Sequence, residues 1–224
     1  MPDPVEAAIT AEKNGADGIV CHLREDRRHI RDDDVKRLRK AVTTKLDLEM
    51  AATSEIVAVA LRIRPDLVTL VPEHRKELTT EGGLDVVRGR SSLKKVIGRF
   101  HDRGIPVSLF IDPMKSQVDA SAEAGADMIE IHTGEYADAR TVAKATSCLG
   151  KISAVAKYAA GAGLTVNAGH GLDYKNTREI ARIGSIEEIS IGHAIVVRAM
   201  EVGFGPAVSE MVQLITTAGG APSS

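Results

Sequence analysis

Residues 125–134 read Gly-Ala-Asp-Met-Ile-Glu-Ile-His-Thr-Gly, and this stretch holds the repeating unit that decides the fold. A turn that begins with glycine is followed at once by a short strand in which apolar and polar residues alternate. Because alternate residues of a strand point to opposite faces, Glu130 and His132 share one face and Ile129 and Ile131 share the other. The stretch therefore predicts a strand with its polar groups on one side.

The same unit recurs along the chain, with Gly15, Gly104 and Gly163 each closing a helical stretch just before another apolar run. Seven strands are predicted, at residues 18–23, 46–51, 66–73, 106–112, 128–134, 165–171 and 188–194. Amphipathic stretches predict helices between them, at residues 32–41, 54–63, 93–103, 116–124 and 141–160. Short strands that alternate with helices pair in parallel through right-handed crossovers.

A further helix precedes the first strand, with Asp3 suited to cap it and Pro4 to occupy its first turn. A (β/α)8 barrel has eight strands, each followed by its helix, so this helix lacks a partner strand. We therefore predict an α/β fold of the (β/α)8 TIM-barrel type with seven of its eight strands, the first being absent. An open doubly wound sheet is the alternative, but no glycine-rich dinucleotide motif follows any strand. Residues 1–218 should form one domain and residues 219–224 a frayed tail.

The composition of the 224 residues is that of an ordinary globular protein, with 43% hydrophobic and 27% charged residues. A net charge of −2 gives no reason to expect binding to nucleic acid or to an anionic membrane. Cys21 and Cys148 have neither disulfide-framework nor zinc-site spacing. The chain starts without the features of a signal peptide and has no apolar run of membrane-spanning length. We expect a cytoplasmic protein.

Polar residues gather where the predicted strands end, which is where parallel α/β folds bind ligands. Glu49, Glu130 and His132 lie within strands, between apolar neighbours. The others lie at strand ends or just beyond, and they are His22, Arg24, His29, His170, Gly171, Gly192 and His193. His170-Gly171 and Gly192-His193 are each predicted to lead directly into a helix, and the glycines allow backbone N–H groups at the helix start to approach a phosphate. Arginines at this end of a strand suit the same anion. Thr79 lies in a long glycine-containing loop that suits contact with a substrate.

Each of these residues also has a purely structural interpretation. Glu130 and Glu49 would then be salt-bridged, His22 and His132 would be packing residues, and each glycine would serve a tight turn. The arginines would belong to a solvated loop before a helix. Taken together, several acid–base groups and one or two phosphate pockets indicate proton transfer, isomerisation or condensation on phosphorylated small molecules.

Longer strings resemble the pyridoxine 5′-phosphate synthase family, in family order and across nearly the whole chain. One is His-Leu-Arg-Glu-Asp-Arg-Arg-His-Ile at residues 22–30, and another is Thr-Thr-Glu-Gly-Gly-Leu-Asp at residues 79–85. The remaining strings are residues 48–51, 107–112, 130–134, 166–172 and 191–194.

The resemblance implies a ring-closing condensation of 1-deoxy-D-xylulose 5-phosphate with 3-amino-2-oxopropyl phosphate, which gives pyridoxine 5′-phosphate, phosphate and water. It implies that His22 and Glu49 accept protons, His170 donates one, and Glu130 stabilises the transition state. The implied contacts of the first substrate's phosphate are Arg24, His29 and Thr79, and those of the second are Gly171, Gly192 and His193. No metal or organic cofactor and a homo-octamer are implied as well.

One departure from the family pattern concerns its opening strand, of the type Asn-Ile-Asp-His followed by a loop arginine, because this sequence begins after it at Pro2. The chain would then be a fragment or a shortened form. A barrel without one strand exposes two strand edges. We therefore expect poor stability and little activity unless a partner subunit fills the gap.

Two other functions remain open at this point. A metal-dependent barrel lyase or epimerase would use Glu49, Glu130, His132 and His170 as ligands, since these residue types bind divalent metals. A catalytically silent oligomeric scaffold is the other, and the missing strand favours it.

Overall fold

The computed structural model describes residues 3–73 and 82–219, and within them the chain forms seven strands and ten helices. The strands are β1 (Gly18–Leu23), β2 (Lys45–Met50), β3 (Leu67–Leu70), β4 (Val107–Ile111), β5 (Met128–His132), β6 (Thr165–Gly169) and β7 (Glu188–Ser190). The helices are α1 (Pro4–Lys13), α2 (Asp32–Ala41), α3 (Ser54–Ile63), α4 (Val86–His101), α5 (Lys115–Ala124), α6 (Gly134–Ala137), α7 (Val142–Gly161), α8 (Thr177–Ala181), α9 (His193–Val202) and α10 (Phe204–Gly219).

The strands form one sheet in chain order from β1 to β7, and all neighbouring pairs are parallel. The sheet curves into a nearly closed barrel with the helices outside it, which confirms the predicted TIM-barrel class. β1 and β7 are its edges, and no strand in residues 3–73 or 82–219 bridges them. The prediction of seven visible strands is therefore confirmed.

The helical layer is continuous where the sheet is open, because α1 packs against both α2 and α10. The Ser209 hydroxyl of α10 donates to the side-chain oxygen of Asn14 at 3.1 Å, directly after α1. A Cβ at Gly205 would lie 2.8 Å from Asn14 Nδ2, so the two helices approach closely. An ion pair between Lys45 and Glu188 joins the starts of β2 and β7. Helix packing and one ion pair thus hold the open side together.

Strand β2 shows how the sheet separates apolar from polar groups. Leu46, Leu48 and Met50 have no exposed surface and pack in the core between the sheet and the helices. Asp47 and Glu49 alternate with them and face the barrel interior. The apolar side chains on the outward face of the sheet therefore form the core with the helices, and the polar side chains point into the barrel interior.

Four predicted strands extend two or more residues too far at the ligand-binding end of the barrel. Their predicted ends are residues 73, 134, 171 and 194, whereas β3, β5, β6 and β7 end at Leu70, His132, Gly169 and Ser190. The last strand was predicted at residues 188–194, but β7 ends at Ser190, and Gly192 and His193 are the N-cap and first residue of α9. His170 and Gly171 were predicted to lead directly into a helix, yet residues 172–176 separate them from α8. Hydrogen bonds from the N–H groups of residues 175 and 176 to Asp173 form a turn there instead.

Two other boundaries also differ from the prediction. The helix predicted at residues 93–103 begins at Val86, because the Asp85 side chain caps it by accepting a hydrogen bond from the N–H of Arg88. Helix α10 runs to Gly219, one residue into the predicted tail, and residues 220–224 lie outside the described residues.

Helix α9 lies beside the open edge and has no buried residue. Val196, Val197 and Met200 are 57%, 51% and 85% exposed, so an apolar surface faces outward. Of the helices in residues 3–73 and 82–219, none combines the length and apolar character required to cross a membrane.

Replacing Asp47 by Asn tests the polar interior through its effect on folding. Asp47 is 5% exposed and accepts a hydrogen bond from the Thr69 hydroxyl at 2.7 Å, and burial raises its pKa from 3.8 to about 6. When folding raises the pKa of a carboxyl group, the folded protein loses stability as pH rises from the unfolded-state pKa to the folded-state pKa. The loss is about 1.4 kcal/mol per pH unit. We expect Asp47→Asn to raise the free energy of unfolding by roughly 1–3 kcal/mol near pH 8 and to change it little near pH 4.

Urea unfolding at both pH values measures this difference, and Asp17→Asn in an exposed turn is the control. The same stability change at both pH values would contradict the raised pKa of Asp47.

Candidate active site

The ends of β1 and β2 bring the first two predicted groups together. His22 and Glu49 are partners in the strand register, and His22 Nδ1 lies 3.8 Å from Glu49 Oε2. Both side chains are 24% exposed, so they line a space that a small molecule can reach. Adjacent parallel strands thus place a histidine and a carboxyl group side by side.

Glu73 completes this group, and the sequence analysis gave it no role. Its side chain is 1% exposed, and it lies 3.9 Å from His22 Nε2 and 3.7 Å from Arg24 Nη2. It also accepts a hydrogen bond from the N–H of Glu25 at 2.9 Å. Its position just after β3 is the same strand-end position that the other candidates occupy. This position is the signal in the sequence by which Glu73 could have been identified. Glu73 joins the loop after β1 to the loop after β3.

The arginines in the loop after β1 have different ion-pair partners. Arg24 is 11% exposed and turns toward Glu73. Arg27 forms an ion pair with Glu55 at 2.6 Å, and Arg28 pairs with Asp26 at 2.6 Å. Arg24 is therefore the arginine of this cluster that faces the candidate site.

Burial and nearby cations keep His22 neutral. Desolvation lowers the pKa of His22 to about 4, and the positive charges of Arg24 and His29 add to this effect, whereas Asp26 opposes it. At neutral pH the ring is therefore an uncharged imidazole with the capacity to accept a proton. His29 is exposed and near enough to His22 to act on it through its charge.

The pKa of Glu49 is shifted in the opposite direction from that of His22. Burial raises the pKa of Glu49 to about 7, and the neighbouring charge of Asp47 adds to the increase. A carboxyl group with a pKa near the working pH is suited to both accept and release a proton.

Glu130 is the most deeply enclosed of the predicted groups, at 3% exposed. The Ser190 hydroxyl donates to its Oε2 at 3.3 Å. A Cβ at position 169 would overlap Glu130 Oε1, so Gly169 provides the space that this carboxyl occupies. Burial, and then the charges of Glu49 and Asp47, raise the pKa of Glu130 well above its usual value. Burial therefore favours the protonated form of this carboxyl, which can donate a hydrogen bond.

His170 follows β6 in a left-handed backbone conformation, with φ at 77°, which is uncommon for a residue other than glycine. The Thr133 hydroxyl lies 2.8 Å from the carbonyl oxygen of Gly169 and 2.6 Å from that of His170, and its proton serves both. Gly171 also has a φ of 77°, and a Cβ there would lie 2.8 Å from Ala137 Cβ. Burial lowers the pKa of His170, and His132 adds to this effect.

Of the remaining predicted residues, two are exposed and one lies outside the described residues. Gly192 and His193 are exposed at the start of α9, and a Cβ at Gly192 would meet nothing within 4 Å. Thr79 lies outside the described residues. The four ligands of the alternative metal site do not converge, since residues 3–73 and 82–219 contain no cluster of three or more potential metal ligands.

Replacing Arg24 by Gln tests the electrostatics of His22. Removal of the positive charge is expected to raise the pKa of His22 from about 4, but not to its ordinary value, because burial is the larger cause. NMR titration of the imidazole signals measures this pKa. Arg62→Gln, an exposed change on α3, is the control. An unchanged His22 titration in Arg24→Gln would show that Arg24 is too far away to act on the ring.

Comparison with known proteins identifies the family of this chain. A family model described as pyridoxal phosphate biosynthesis protein PdxJ matches residues 1–217. The pyridoxine 5′-phosphate synthase of Geobacter sulfurreducens is 56% identical over 214 residues, which are 96% of this chain and 90% of that protein. The protein of the same name from Chlorobium chlorochromatii is 57% identical, over 96% of this chain and 91% of that protein.

Solved structures show similarity of fold alone. KGPDC from Streptococcus mutans superposes with a TM-score of 0.69 at 15% identity, covering 96% of this chain and 92% of that one. N-(5′-phosphoribosyl)anthranilate isomerase from Pyrococcus furiosus gives 0.66 at 14% identity, covering 95% and 94%. The family match and the two relatives are far more specific, and they show that this chain belongs to the PdxJ family of pyridoxal phosphate biosynthesis proteins.

Proposed function

We propose that this chain is a pyridoxine 5′-phosphate synthase, which condenses 1-deoxy-D-xylulose 5-phosphate with 3-amino-2-oxopropyl phosphate. The products are pyridoxine 5′-phosphate, inorganic phosphate and water. The relatives that carry this name match almost the whole chain at more than half identity. The observation that carries the proposal is the meeting of His22, Glu49 and Glu73 beside Arg24 at neighbouring strand ends.

The protonation states of these groups suit the condensation. Imine formation, loss of water, loss of phosphate and ring closure each require a proton to move, so several acid–base groups must surround one space. Neutral His22 accepts a proton, and Glu49 accepts one when it is ionised. His170 donates a proton to a leaving oxygen. Neutral Glu130 donates a hydrogen bond to charge that develops in the transition state.

Two anion sites are needed because both substrates carry a phosphate. We assign Arg24, His29 and Thr79 to the phosphate of the deoxyxylulose substrate. The other phosphate belongs to Gly171, Gly192 and His193, since Gly192 caps α9 and backbone N–H groups at a helix start favour anions.

The wider setting of the enzyme follows from the same proposal. The reaction needs no metal or organic cofactor, because its steps are proton transfers and eliminations. The chain acts in the cytoplasm as a homo-octamer, and its substrates are small phosphorylated molecules rather than nucleic acid or membrane.

The direct test mixes the purified chain with both phosphorylated substrates and follows pyridoxine 5′-phosphate by its fluorescence. A version extended by a family-type first strand is assayed in parallel. Product from either version supports the proposal, and no product from both overturns it. Tight binding of either phosphorylated substrate would count against the alternative of a catalytically silent scaffold.

In the active version, His170→Asn is expected to lower kcat by about 10²- to 10⁴-fold, the usual loss when a general acid is removed. His101→Asn is the matched control, because His101 is half-exposed at the far end of α4 and pairs with Asp127. Equal kcat values for His170→Asn and the unaltered enzyme would remove His170 from the proton-transfer scheme.

A further inference from the structure

Asp112 and His132 form a pair that the synthase scheme above leaves without a role. Asp112 directly follows β4, and His132 is the last residue of β5. His132 Nδ1 lies 3.0 Å from Asp112 Oδ1, which is a hydrogen bond between side chains of two neighbouring strands. The same Asp112 oxygen accepts a hydrogen bond from the N–H of Gly83 at 3.0 Å. The carboxylate is therefore fixed from two sides, and it fixes the orientation of the imidazole.

The pair reaches the candidate proton donor through ring contacts. The rings of His132 and His170 meet edge to face, with centroids 5.0 Å apart. Phe110 packs on both, at 5.1 Å from His132 and 6.2 Å from His170. A Cβ at Gly134 would lie 2.6 Å from His132 Nε2 and 3.4 Å from His170 Cδ2, so glycine leaves just enough room for the two imidazoles.

Charge links the same residues. The hydrogen bond to His132 lowers the pKa of Asp112, so this carboxyl is ionised and acts as the acceptor. Among charged groups, His132 lowers the pKa of His170 from β5, and Asp138, which follows α6, raises it.

We propose that Asp112 and His132 are a positioning pair, in which Asp112 orients His132 and His132 holds the His170 ring in the geometry for proton donation. From the sequence alone, His132 also has an interpretation as a packing residue, and no pattern singles out Asp112. The arrangement resembles the way that a carboxylate orients a histidine in many catalytic sites. The role of the pair rests on the proposed synthase function, but its contact with His170 does not.

A double-mutant cycle separates positioning from simple structural support. Asp112→Asn and His132→Gln are each expected to lower kcat by about 10- to 100-fold, because small misplacement of a reacting group has effects of this size. KM is expected to stay within about twofold. If Asp112 acts only through His132, the double variant has the kcat of His132→Gln alone.

A structural role for Asp112, for example as the anchor of the Gly83 N–H, would instead add its own loss in the double variant. That additive result would overturn the proposal, as would an unchanged kcat in His132→Gln. His101→Gln controls for loss of a histidine–aspartate pair elsewhere, since His101 Nε2 lies 2.8 Å from Asp127 Oδ2 far from the site.

A titration that needs no substrate distinguishes failure of this proposal from failure of the synthase function. NMR titration of His170 is expected to give a higher pKa in His132→Gln than in the unaltered protein, because the neighbouring imidazole lowers it. An unchanged titration would overturn the contact between the two histidines, even if the chain made no product.

Discussion

The inward faces of β2 and β5 place Asp47, Glu49 and Glu130 in a space from which the surrounding strands exclude most water. Among the described residues, the neutral hydroxyls of Thr69 and Ser190 are the hydrogen-bond partners of Asp47 and Glu130. Burial disfavours the ionised forms, and the positive charge of Lys45 only partly offsets this effect at Asp47. These carboxyl groups therefore retain their protons at higher pH than usual. The acid–base capacity of the site is a consequence of that enclosure.

Strand register and the small size of glycine determine the positions of the other candidate groups. Parallel pairing brings His22 beside Glu49, and the absence of a Cβ at Gly169 admits the Glu130 carboxyl. Because these positions are determined by the pleat of a rigid sheet, the groups keep their spacing without help from loops. The loop side chain of Arg24 is fixed in turn by Glu73. The strands of the barrel thus hold the titratable groups, and the loop after β1 holds Arg24 beside them.

Much of the fold was predictable because alternation within strands and glycines before them are local patterns. His22, Glu49 and Glu130 were found for the same reason, since each interrupts an apolar strand. Glu73 and Asp112 were not found, because their importance depends on contacts with side chains about 50 and 20 residues away in sequence. The three-residue length of β7 was missed because the apolar pattern continues from Ser190 into α9.

The most direct test of this account is a ¹³C NMR titration of the Glu49 and Glu130 carboxyl groups in the protein without substrate. We expect Glu49 to titrate near pH 7 and Glu130 to stay protonated to higher pH than a free glutamate. Titration of both groups near 4.5, the ordinary pKa of a glutamate, would contradict this account, because the barrel interior would then be wet enough to solvate them as anions.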